Sequence, residues 1–438
     1  MFKVVRSIFV IPELRARVLF TLSMLIIFRA GAHITVPGID AVSLQSFYEN
    51  TASSTIISFF NTFSGGALSR LSIFALGILP YISASIIMQL MTVVFPTLER
   101  IAKEGDTGRR KISQYTRYFT IALSLIQGYG ITVGLRSLTA PGGAPLVNAS
   151  VSPTTFTFTT VITLTAGTAF VMWLAEKISE RGIGNGASLI VFTGIIAEVP
   201  AGIMRSAQLL QTGELAIFAV IILATIIVAI TGIVVLFESS QRKIAIQHSR
   251  RMQGSQVVGG GSSYLPLKIN ASGVIPIIFA SSLLAFPSTF TAFVETPWVR
   301  QIGLYLTPTH IIYNMIFVVL IFFFCYFYNA IQFNPIKLSE DLKRYGGYVP
   351  GIRPGEKTAH YFNLILTRLT FIGAIYLSFV SILPNGIYSF FNVPFFFGGT
   401  SLLISVGVSL DLANQVETFM LNQNYDGFMK KIKTRSRY

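Results

Sequence analysis

The chain has 438 residues, of which 52% are hydrophobic and only 12% charged, about half the charged share of a soluble domain. With its long uncharged runs, that composition excludes an ordinary soluble domain and points to a polytopic membrane protein. The net charge of +15 must therefore sit mainly outside the spans, and the lone Cys325, inside an apolar run, leaves no disulfide framework and no thiolate metal site.

At the N-terminus Lys3, Arg6, Arg15 and Arg17 precede an apolar run over 18–36. This resembles a signal-peptide start, but no small-residue cleavage site closes the run, so it reads as a retained first span. Arg29 lies near its middle. The next stretch, 58–77, is SFFNTFSGGALSRLSIFALG. It is too apolar for a surface loop, and Asn61, Ser64, Gly65, Gly66, Ser69 and Arg70 interrupt it too often for a span. A short re-entrant helix followed by a turn fits it, with Gly65 and Gly66 as the hinge because glycine reaches backbone angles closed to other residues. At membrane depth such irregular backbone must be buried in protein or line a water-filled cavity. A helix lying on the outer membrane surface suits the composition equally well.

Further spans are predicted over 72–95, 117–136, 155–175, 183–200, 215–237, 270–289, 310–330, 367–386 and 397–419, making ten. Two loops are long for connectors. Residues 241–265 read QRKIAIQHSRRMQGSQVVGGGSSYL, and 334–360 read NPIKLSEDLKRYGGYVPGIRPGEKTAH. Ordered loops of this length are usually functional, and their Arg and Tyr suit an anionic protein or RNA. Asp411 falls in the last span. With Arg29 it is either a functional charge, a neutralised structural contact or a residue facing a wet cavity.

Ten spans put both termini on one side. The N-terminal segment, the loops 96–117, 175–182, 238–268 and 330–368, and the tail 420–438 hold all the Lys and Arg except Arg29, Arg70, Arg136, Arg205 and Arg300. Positive residues favour the cytoplasmic face, so both termini are expected in the cytosol. Attraction to anionic lipid accounts for part of the same bias.

No Walker-type loop, HExxH or nucleophile elbow is present. Residues 182–186, GIGNG, fall short of a dinucleotide fingerprint and read as a flexible entry into the fifth span. An enzyme is not expected. A solute transporter would share broken helices but needs a polar midplane site, and the spans offer little beyond Arg29 and Asp411.

Six segments carry a family resemblance: FNTFSGGALSRLSIFALGILPYISASIIMQLMTVVFPTLER (60–100), EGDTGRRKISQYTRY (104–118), ERGIGNGASLIVF (180–192), LPLKINASGVIPIIFASSLLAFP (265–287), VPGIRPGEKTAHY (349–361) and PFFFGGTSLLISVGV (394–408). Long, ordered and correctly spaced, they resemble the SecY family, the central channel subunits of bacterial Sec translocons. The resemblance runs from about residue 11 to the tail.

That resemblance implies an all-α polytopic fold of ten transmembrane helices. They form two inverted, pseudosymmetric five-helix halves, 1–210 and 211–438, around a central pore with a plug. It implies a hinge around 200–214 and a pore ring of Ile78, Ile82, Ala187, Val191, Ile278 and Ile404, where Ala187 replaces the family's usual isoleucine. The plug would cover about 56–71, including Phe60, Asn61, Phe63, Ser64, Gly65, Gly66 and Leu68. Ser83, Phe286 and Phe290 would lie at a lateral gate. Arg250, Arg251 and Arg353 would dock the SecA motor ATPase or the ribosome, with QGS at 253–255 less basic than in many relatives. The implied function is translocation of unfolded secretory polypeptides and sideways release of transmembrane segments into lipid. The implied partners are SecE, SecG, SecA, the ribosome, signal peptides, nascent chains and membrane lipids. No cofactor is implied, since SecA supplies the ATP hydrolysis, and the location is a bacterial plasma membrane.

Overall fold

Prolines and small polar caps set where several helices begin. In the computed structural model, α1 (Pro12–Gly31), α2 (Leu79–Val94), α3 (Pro96–Lys103) and α5 (Pro153–Arg181) each carry Pro in their first two positions, where its missing N–H costs nothing. Ser152 accepts from the Thr155 N–H at 3.3 Å to cap α5, and Asn185 accepts from Ala187 and Ser188 at 3.0 and 3.3 Å to cap α6 (Gly186–Gln211). The remaining helices are α4 (Asp106–Ser137), α7 (Ile217–Ser239), α8 (Ile275–Phe293), α9 (Ile311–Gln332), α10 (Pro335–Arg344), α11 (Glu356–Phe391) and α12 (Gly399–Arg435). The structure describes residues 11–40, 43–44, 61–137, 146–148, 151–213, 217–248, 251–253, 256–258, 262–293, 301, 305, 310–391 and 399–435.

Each expected span overlays one helix, but the second starts later than its apolar run. Helix α2 begins at Leu79 rather than 72. The Ser72 and Ile73 N–H groups are drawn to the carbonyls of Ala67 and Ile34, at 2.8 and 2.9 Å, and Gly77 takes φ +56°. Those bonds to outside partners hold 71–77 in turns, although its composition is helix-compatible. By length and hydropathy, six described helices can cross a membrane, or seven if α2 and α3, bent by 101° at Phe95, form one span. Threonines inside spans return their hydroxyls to the carbonyl four residues back, as Thr120, Thr132, Thr168 and Thr370 do at 2.7–3.0 Å. That bond lets a polar residue sit in an apolar span.

Helices α1, α2, α4, α5 and α6 pack principally on one another, as do α7, α9, α11 and α12, while α8 packs on α9 and equally on the first group. The two groups meet where α8 lies against α2 and α4, and where α6 lies against α12. One large apolar core joins residues from both groups.

Outside the helices, the two long loops share a sheet. Strand β1 (Gln241–His248) pairs antiparallel with β4 (Ser262–Lys268) and with β5 (Gly347–Tyr348), while β2 (Arg251–Gln253) and β3 (Gln256–Val258) form a separate ribbon. In β1, Ile244 and Ile246 point inward. Ile244 joins Leu267, Val349 and Phe362 in a small apolar core at the foot of α11. In the sequence these are two loops about 70 residues apart. Pairing of Gln247 with Tyr348 makes them one platform.

A candidate pore constriction and its seat for residues 61–77

Helix α6 lays out the site along one face. Ala187, Val191, Gly194 and Glu198 follow at intervals of four, three and four, which keeps them on one stripe, about 16 Å long at 1.5 Å per residue. Antiparallel to it, Ile78 caps α2, and Ile82, Ser85 and Gln89 follow on one face of that helix.

Ile78, Ile82, Val191, Ile278 and Ile404 are buried in the same core, and half-buried Ala187 packs against it. These are the six positions of the expected ring, drawn from α2, α6, α8 and α12. On one side of them lies a cavity of about 230 Å³. Ile82, Ala187 and Ile278 form its floor, and Tyr81, Ser85, Gln89, Ser179, Asn185 and Ser188 supply polar walls. An apolar constriction beside a polar vestibule dewets, so it resists ions without binding any passing side chain strongly.

On the other side sit residues 61–77. Residues 61–64 are helical, and Gly65 and Gly66 take φ +68° and +80°. Buried Phe63 belongs to the same core as the ring, whereas Leu68 packs on a second apolar cluster with Val36, Leu71, Ala75 and Leu164. Phe63 and Leu68 thus face different cores.

The seat of this segment was missed by sequence reasoning. The Asn61 amide donates to Glu198 Oε1 at 2.9 Å and the Thr62 hydroxyl donates to Glu198 Oε2 at 3.1 Å. Asn61 Oδ1 also accepts from the Ser69 N–H at 2.8 Å, which ties the helical turn to the returning chain. From α1, Arg29 Nη1 donates to the Gly65 carbonyl. A Cβ on Gly65 would lie 2.8 Å from the Gly194 Cα, and one on Gly194 would lie 3.1 Å from the Gly65 nitrogen and the Phe63 carbonyl. Small residues at both positions let the backbones touch. The available signal was the stripe itself: continuing the Ala187–Val191 face by two turns reaches Gly194 and Glu198.

The remaining expected residues fall as follows. Ser83 is buried on α2, a helix that packs against α8. Phe286 and Phe290 belong to α8 and Arg251 to β2, but their side chains lie outside the described residues, as do Phe60 and Arg250 altogether. Arg353 is exposed, and its carbonyl accepts from the Thr358 hydroxyl at 2.8 Å, which fixes the loop that presents it. Asp411 is exposed and pairs with Lys268, at the end of β4, at 3.9 Å, so it answers to the loop platform. The GIGNG turn is held by the Thr21 hydroxyl on the Ile183 N–H at 3.1 Å and by Gln415 Oε1 on the Gly184 N–H at 2.8 Å. It is a fastened junction of α1, α6 and α12, not the flexible entry expected. Among the described residues no group of three or more His, Cys, Asp or Glu is placed to hold a metal ion.

Comparison with known proteins gives a consistent picture. The SecY family model matches residues 72–413. A protein translocase subunit SecY of Escherichia coli (strain K12) is 48% identical over 424 residues, covering 96% of this chain and 94% of that one. Among solved structures, one described as a protein-conducting channel superposes with a TM-score of 0.66 at 19% identity, covering 92% of each chain. Another, described as showing that the plug domain of SecY stabilises the closed channel and maintains a membrane seal, superposes at 0.63 with 18% identity and 92% of each chain covered. With a family model over most of its length and near-half identity to a full-length relative, the chain belongs to the SecY family.

Proposed function

We propose that this chain is a protein-conducting channel that passes unfolded secretory polypeptides across the plasma membrane and releases transmembrane segments sideways into lipid. One observation carries the reading. Six side chains from four helices share one apolar core, with a polar-walled cavity on one side and a seated, glycine-hinged segment on the other. Family membership at 48% identity supports it.

In this reading the ring of Ile78, Ile82, Ala187, Val191, Ile278 and Ile404 seals by exclusion of water, and residues 56–71 are the plug. Residues 1–210 and 211–438 act as halves. The denser packing within each helix group than between them supports that division. Sideways release occurs where α8 leaves α2 and α4, past Ser83, Phe286 and Phe290. Partition decides which segments leave. A central Leu, Ile, Phe or Val gains about 0.3–0.6 kcal/mol in lipid, and a central charge costs about 2.5–3.5 kcal/mol.

The joined platform of β1, β4 and β5 faces the cytosol and, with Arg250, Arg251 and Arg353 as the docking residues, receives SecA or the ribosome. SecE and SecG complete the complex, and both termini are cytosolic. The chain carries no catalysis of its own, so the work comes from its partners.

The test is ion conductance of the chain with SecE in a planar bilayer, before and after deletion of residues 57–68. The expected result is low leak for the intact protein and large, fluctuating conductance after deletion. An unchanged conductance would rule out a plugged aqueous pore.

A further inference from the structure

We propose that Glu198 and Arg29 form a polar latch that sets how readily residues 61–77 leave the pore. The inference rests on the reading of that segment as a plug and adds what fixes its resting position.

The geometry is two-sided. Glu198 spends both carboxylate oxygens on the segment, one on the Asn61 amide at 2.9 Å and one on the Thr62 hydroxyl at 3.1 Å. Arg29 holds the Gly65 carbonyl from the opposite helix. A carboxylate can only accept and a guanidinium can only donate. Each therefore takes the one kind of group that the segment offers on its side. Hydrogen bonds to charged groups are the stronger kind. Between them Gly65 lies backbone to backbone on Gly194, so no side chain intervenes to soften the fit.

Both latch residues come from α1 and α6, helices that pack on each other. Separating α8 from α2 and α4 therefore leaves the latch intact. Releasing it requires competitors for Glu198 and for Arg29. An extended polypeptide brings both, since each of its peptide units carries an N–H and a C=O. The occupant of the pore thus substitutes for the plug in the same bonds. The latch makes opening conditional on a chain being present. Apolar contact of Phe63 with the ring supplies sealing but no such exchange.

The test uses the complex with SecE in planar bilayers and four forms besides wild type. They are Glu198→Gln, Asn61→Asp, the double variant Asn61→Asp/Glu198→Gln, and the 57–68 deletion. Glu198→Gln keeps a partner for both Asn61 and Thr62 but turns two charge-assisted bonds into neutral ones, so its resting leak should rise about threefold, less than in Asn61→Asp. Asn61→Asp keeps the acceptor for Ser69 but sets a carboxylate against Glu198. Its leak should rise about tenfold or more, as expected when a bond to a charged group is lost and replaced by repulsion. In the double variant glutamine donates to the new aspartate, and leak should fall back toward wild type. A merely structural role would not be rescued by reversing the polarity of one contact. If Asn61→Asp stays tight while the deletion leaks, the latch is wrong and the plug stands. If Asn61→Asp leaks and the double variant leaks equally, the pairing of Asn61 with Glu198 is wrong. If the deletion itself stays tight, the plug reading fails and the latch fails with it.

Discussion

Gly65 shows what a single residue decides in this protein. Its φ of +68° is a region where a side chain is strained, and a Cβ there would press on the Gly194 backbone at 2.8 Å. Gly65→Ala should therefore destabilise the seated segment by about 1–3 kcal/mol from backbone strain, before any clash is counted. The expected outcome is a higher resting leak and faster labelling of a cysteine placed at Ser64, which is buried in the wild-type protein. Labelling at the wild-type rate would show that the seat tolerates the shift. Arg29 is equally specific. On sequence it was one of two membrane charges with three open meanings, and in the fold its partner is the Gly65 carbonyl. Asp411, the other, pairs with Lys268. No pattern in the sequence could pair them, because each partner lies far along the chain and is reached only through helix packing.

At the scale of elements, α6 and α2 do most of the organising. Running antiparallel, they carry the candidate ring positions in the middle, the polar lining of the cavity at one end and, on α6, the seat of residues 61–77 at the other. The six ring positions came from family resemblance, and most of them would read as ordinary helix core without it. Burial alone would not change that, since a closed ring and a core look the same to solvent. The cavity is what favours a ring over a core, since Ile82 and Ala187 line it together with Ile275 and Ile278 of α8. A short bifunctional cross-link between cysteines at Ser85 and Ile275, both lining that cavity, should hold α2 to α8. The expected outcome is loss of sideways release, measured as failure of a transmembrane client to become alkali-resistant in the membrane. Undiminished integration would place the exit elsewhere. The loop platform belongs to this scale too. Its strands were not expected, because glycines crowd the first loop and glycines and prolines the second, and pairing of β1 with β5 joins segments about 100 residues apart.

For the whole molecule, charge and hydropathy predict orientation more directly than shape does. Nearly all Lys and Arg cluster in segments that alternate with spans, and that bias is the ground for proposing that both termini are cytosolic. Cys325 is buried, so a cysteine added after Tyr438 would be the reactive one. It should label with a membrane-impermeant maleimide in inverted vesicles and stay protected in intact cells. The reverse pattern would mean an odd number of crossings.

The sequence by itself determined the class of protein, the placement of its helices to within a few residues in most cases, and its family. Those follow from local properties: apolar run length, proline and cap positions, and motifs read in order. Only the tertiary structure decided the late start of α2, the fastening of the GIGNG turn, the single platform made from two loops, and the partners of Arg29, Glu198 and Asp411. Each depends on a hydrogen bond or ion pair between groups distant in the chain. Local preference is overridden wherever such a partner captures the backbone, as Ile34 captures the Ile73 N–H and denies residues 71–77 to the helix.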